Sequence, residues 1–217
     1  MKAKDAAGHG MMKSVNDCCE VRGDIPDRQR RVLNIVLWIN AGMFLAELVA
    51  GLLAHSTALI ADSVDMLGDA IVYGGSLYVI GRGAAWQARV ALLKGGLMAA
   101  FGAGVLAEVA LKLGRGLVPA ASMMTGMGLL ALAANASVLA LLWCHRGDDI
   151  NMRSAWLCSR NDVVANAGVL AAAGGVALTG SAWPDVVVGL VIASLFSASA
   201  LSVILDASRE LRNAAVR

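Results

Sequence analysis

An all-α membrane protein with six transmembrane helices is the fold class this sequence predicts, and three observations carry it. Of its 217 residues, 58% are hydrophobic and 16% charged, with a mean hydropathy of +0.68, so there is too little charge to cover a soluble domain of this size. The apolar residues gather into stretches of about 20, the length that crosses a hydrocarbon core of roughly 30 Å. Lys and Arg collect at the ends of those stretches. A formal net charge of +2 gives no reason to expect a nucleic-acid partner.

The first residues, MKAKDAAGHGMMKSVNDCCEVRGDIPDRQRR, contain no apolar h-region. They read as a flexible cytosolic tail over 1–31, not as a cleaved signal. The six expected spans are Val32–Ala54, Thr57–Gly81, Val90–Leu111, Ala120–Trp143, Ala155–Thr179 and Pro184–Leu205. Together they make one transmembrane domain over 32–206, followed by a short cytosolic tail over 207–217. Arg28, Arg30, Arg31, Arg82, Arg89, Lys94, Arg146, Arg153, Arg209, Arg212 and Arg217 lie on one side, against only Lys112 and Arg115 on the other. By the positive-inside rule both termini are cytosolic, and a bacterial-type plasma or inner membrane is expected. With 24 Gly and 3 Pro, the spans suit close packing. The cysteines Cys18, Cys19, Cys144 and Cys158 form no fixed-spacing disulfide framework and are read as reduced thiols.

The first span places Asn40 and Glu47 seven residues apart, nearly on one face. They suit either interhelical bonding or the ion pathway. The second span carries the most informative stretch, ADSVDMLGDA. Asp65 and Asp69 are four apart on one helical face, with Asp62 one turn earlier on the same side. A single carboxylate at membrane depth costs about 2.5 to 3.5 kcal/mol. Three on one stripe require protons or a cation to neutralise them, and a site that alternates between the two is a transport site. In the fourth span Met123, Met124 and Met127 read as flexible apolar filling.

The fifth span repeats the device in WLCSRNDVVANAGVL, where Cys158, Asp162 and Asn166 recur every four residues. If this stripe faces Asp65 and Asp69, two i, i+4 pairs supply four ligands to one divalent metal, a set normal for zinc-type coordination. Arg160, on the side away from Cys158, is placed to snorkel or to pair with an acid.

These residues carry a resemblance. NAGMFLAELVAGLLAHSTALIADSVDMLGDA, LAEVALKLGRGLVP, WLCSRND, WPDVVVGLVIA and DASREL, within Asn40–Leu211, resemble the transmembrane domain of the cation diffusion facilitators, proton-coupled exporters of divalent metals. The family's HxxxD or DxxxD pair in the second span and HxxxD in the fifth imply Asp65, Asp69, Cys158 and Asp162 as metal ligands, with Asp62, Glu47, Asn40 and Asn166 around them or along the pathway. Asp65 and Cys158 stand where many zinc members have His. The thiol favours zinc or cadmium and the carboxylates leave cobalt, nickel or iron open. Members commonly continue into a cytosolic metal-binding domain, whereas here the chain stops about a dozen residues past the last span. A homodimer would then form through membrane helices, by small residues such as Gly168, Gly175, Ala193 and Ser197. Cys18 and Cys19, with His9 and Glu20, are candidate tail ligands.

The expected function is therefore proton-coupled antiport of a divalent metal out of the cytosol. It requires no covalent chemistry and no prosthetic group, so no enzyme is expected. The partners are metal ions, protons and the lipid bilayer. The alternative is a non-transporting membrane sensor, or a partner-stabilising protein with a degenerate site.

Overall fold

The computed structural model describes residues 27–79, 84–146 and 150–215. Among them the chain is helical and has no strand, in the order α1 (Asp27–Ala54), α2 (Thr57–Val79), α3 (Ala84–Arg115), α4 (Ala121–Trp143), α5 (Ile150–Thr179) and α6 (Trp183–Ala215). Five of the six are long and apolar enough to cross a membrane. The exception is α2, whose 23 residues span about 34 Å but include Asp62, Asp65 and Asp69. Helices α1, α3, α5 and α6 begin before the apolar stretches that predicted them, and α3 and α6 also continue beyond. A helix goes on satisfying its backbone in the headgroup region, where hydropathy has already fallen. The tail residues Cys18, Cys19, His9 and Glu20 lie outside the described residues, as does Arg82.

The connections that follow α1, α3 and α5 are short and tightly closed. His55 adopts φ 52, and the Ser56 N–H donates to the Gly51 carbonyl at 2.9 Å. A Cβ on Gly51 would meet the Ile60 nitrogen at 3.0 Å, so only glycine lets α1 and α2 approach this closely. Gly116 and Gly180, at φ 64 and 61, close α3 and α5 in the left-handed conformation. The Ala120 N–H donates to the Ala54 carbonyl at 2.9 Å, tying the start of α4 to the end of α1.

Helix α2 is the hub, packing against α1, α3, α5 and α6, while α3 pairs with α6 and α4 with α5. The larger apolar core, including Leu59, Val64, Met98, Val105, Met124, Val169 and Phe196, gathers around it. Large apolar residues face outward as well: Leu178 is 89% exposed and Trp38 73%, the arrangement of a bundle whose solvent is lipid. The small residues expected at a dimer surface are largely used inside the chain. Ala193 is in the core, a Cβ on Gly175 would meet Pro184 at 2.8 Å, and one on Gly168 would lie 3.7 Å from Val188. Close α5–α6 packing claims Gly175, while Ser197 stays exposed.

The first turn of α2 is seated by a buried ionic cluster. Asp185, at the start of α6, accepts from the Ser56 hydroxyl at 2.6 Å, the Thr57 N–H at 2.7 Å and the Ala58 N–H at 3.1 Å. It thereby caps a neighbouring helix with a carboxylate, which also complements the helix dipole. Lys112 near the end of α3 donates to Asp185 at 2.5 Å and to the Thr57 hydroxyl at 2.7 Å. Both charges are fully buried. Lys112 runs against the charge asymmetry of the sequence because its charge is neutralised inside the protein. One turn on from Asp185, a Cβ on Gly189 would stand 2.8 Å from the Thr57 carbonyl carbon, so α6 lies directly against the α2 backbone.

Candidate metal transport site

Seated in this way, α2 turns its aspartates into protein and away from lipid. Asp62 and Asp69 are buried and Asp65 is half-buried. On α5, Cys158, Asp162 and Asn166 are all buried, as the four-residue repeat requires of one inward stripe. Asn40 and Glu47 are buried on α1. Between them Met43 packs with Met66 of α2 and Ala131 of α4, which fixes how the three helices meet.

The acids of separate helices share one electrostatic environment. Asp162 interacts most strongly with Asp69, and then with Asp65, Asp62 and Glu47. Glu47 interacts with Asp62 and Asp65. The carboxylates of α2, α5 and α1 thus lie within electrostatic reach of one another inside the bundle. Both side-chain oxygens of Glu47 and of Asp62 lack hydrogen-bond partners, as do Asp69 Oδ2, Asn40 Oδ1 and Asn166 Oδ1. The amides of Asn40 and Asn166 spend their N–H groups locally, donating to the Val36 carbonyl at 3.0 Å and the Asp162 carbonyl at 2.8 Å. Their oxygens stay available. Buried oxygens without donors suit a cation or protons as the missing partner.

The ligand set does not close on a point. Among the described residues no three His, Cys, Asp or Glu side chains stand in metal-holding geometry. Cys158 is disulfide-bonded, which corrects its reading as a reduced thiol, while Cys144 is free. Thiolate ligation by Cys158 requires its reduced form. Arg160 lies over the Trp156 ring, 5.7 Å from its centroid, a cation–π contact on the outer side of α5.

Two residues near the site escaped the sequence reading. Lys94 of α3 interacts electrostatically with Asp65 and Asp69, and its Cε lies 3.6 Å from where a Cβ on Gly68 would stand. It reads in sequence as a topology marker, and its depth inside a span was the available signal. Tyr73, one turn past Asp69 and fully buried, interacts with Asp69, Asp162 and Asp65, and its hydroxyl has no partner in hydrogen-bond geometry. Its four-residue spacing from Asp69 was legible.

The family model for the cation efflux transmembrane domain matches residues 33–212. Among curated proteins nothing matches the chain. The long match, the apolar helices and the buried carboxylate stripe agree, and on this ground the chain belongs to the cation efflux family of membrane transporters, the cation diffusion facilitators.

Proposed function

We propose that the chain exports a divalent metal ion in exchange for protons, using Asp65, Asp69 and Asp162, joined by Cys158 when its thiol is free. The observation that carries this is the burial of the α2 and α5 carboxylates within one another's electrostatic reach inside the bundle, with buried oxygens that no protein donor satisfies. Like charges this close in a desolvated setting need compensation. A dication supplies it in the loaded state and protons supply it in the empty one. When the site opens to the more acidic side, protons displace the metal; when it opens to the cytosol, metal displaces protons. The aspartates act as exchangeable ligands throughout, and no bond in the cargo is made or broken. With Cys158 reduced, the set of one sulfur and three carboxylates favours zinc or cadmium, and the carboxylates alone extend the range to cobalt, nickel or iron.

The test is metal flux into proteoliposomes holding the purified chain under an imposed pH gradient. Asp69→Asn and Asp162→Asn should each lower the rate by at least about tenfold while eluting like wild type on size exclusion. Wild-type rates in both variants would remove these residues from the site. Metal binding by the wild-type chain without any flux would instead mark a non-transporting sensor.

A further inference from the structure

Helix α4 supplies none of the proposed ligands, yet it sends one polar side chain to the junction where the α2 and α5 stripes meet. Asn135 is 1% exposed. Its Nδ2 donates to the Met66 sulfur at 3.9 Å, and its backbone carbonyl accepts from the Ser159 hydroxyl at 3.4 Å. Met66 directly follows Asp65 and stands one turn before Asp69, while Ser159 directly follows Cys158 and precedes Asp162 by three residues. Asn135 therefore touches both ligand-bearing helices at the level of their candidate ligands. A thioether sulfur accepts hydrogen bonds and cannot donate them. The amide accordingly presents its N–H to Met66 and turns Oδ1 away, and that oxygen has no partner. A buried amide with an unmet acceptor weakens the fold, whereas a leucine would fill similar space without that cost.

We infer that Asn135 is a specificity-determining residue of the transport site, its amide oxygen serving as a neutral donor to the bound divalent cation. This rests on the site assignment made under Proposed function. The chemistry differs from that of the aspartates: a carboxamide oxygen adds a hard ligand without adding negative charge. It raises the oxygen count around the ion and so supports metals that accept more than four oxygen donors, such as cobalt, more than cadmium, which draws more of its binding from sulfur. Nothing about Asn135 requires it to exchange protons.

The experiment is titration of the purified full-length chain with cobalt and with cadmium, paired with flux of each metal in proteoliposomes. Asn135→Ala should weaken cobalt binding by about tenfold while leaving cadmium within about twofold, and Asn135→Asp, which keeps an oxygen, should restore cobalt binding. If the alanine variant fails to fold, Asn135→Leu takes its place. An unchanged cobalt-to-cadmium ratio in the alanine or leucine variant overturns the inference, as does an equal loss for both metals, which is the mark of a packing role. Asp162→Asn separates the two levels of the argument. If it binds and transports both metals normally, the site itself is misassigned; if it abolishes transport while Asn135 variants keep the wild-type ratio, only the role of Asn135 fails.

Discussion

Lys94 places a positive charge on α3 within electrostatic reach of Asp65 and Asp69. Its ammonium partly neutralises those carboxylates and repels any dication that approaches them. In the proposed cycle Lys94 would thus be a tethered competitor of the cargo. Lys94→Met should tighten divalent-metal binding by about tenfold, since at low local dielectric one removed charge easily outweighs the 1.4 kcal/mol that a factor of ten represents. Release should slow correspondingly. Titration and single-turnover efflux would measure the two effects, and an unchanged or weakened affinity would place the ammonium outside the site's field. Glu47 and Asp62 express the same electrostatics without a cation, since their four unpartnered oxygens lie beside one another's charge.

The element that decides the site is α2, and its seat at one end is unusual in being ionic. Asp185 holds the first turn of α2 through one hydroxyl and two backbone donors, and Lys112 holds Asp185. Removing one partner of a buried ion pair leaves an uncompensated charge and costs about 3 to 5 kcal/mol. Lys112→Met should therefore lower the thermal midpoint of the detergent-purified chain sharply. Ser56→Ala, which deletes one neutral donor to the same carboxylate, should cost only about 1 to 3 kcal/mol. Similar, small shifts for both would show that the cluster does not bear on the stability of α2. Because the Gly189 backbone lies against Thr57, the cluster also fixes where the aspartate stripe sits along α6.

At the scale of the whole molecule, α2 is enclosed by four other helices, and the bundle turns apolar side chains to lipid. Aromatic and basic residues pair at the end where α1 begins and α6 finishes: Arg146 lies 3.8 Å from the Trp143 ring centroid, Trp143 meets Trp156 edge to face at 5.7 Å, and Arg89 covers Trp86 at 5.1 Å. Such side chains anchor a bundle at the headgroup level. With α2 gripped at the opposite end, exchange of access to the site has to come from motion of the helices against one another, driven in the proposed cycle by the proton gradient. Collapsing that gradient with a protonophore should abolish uphill metal transport in proteoliposomes. Uphill transport that survives the protonophore would rule out proton coupling.

Helix number, approximate span limits and the two inward stripes were legible in the sequence because each is a local property. Hydropathy over about 20 residues reports passage through lipid, and a four-residue repeat of polar groups reports one face of a helix. Family membership follows from the same local patterns. What the tertiary structure alone decided is which faces meet. The pairing of Lys112 with Asp185 bridges 73 positions, and the cap on Thr57 bridges 128. The turning of Asn135 toward Met66 and the reach of Lys94 toward Asp69 likewise depend on how helices distant in sequence pack. Helical periodicity fixes the direction of a side chain around its own axis, and only the packing of neighbouring axes sets what that side chain finds there.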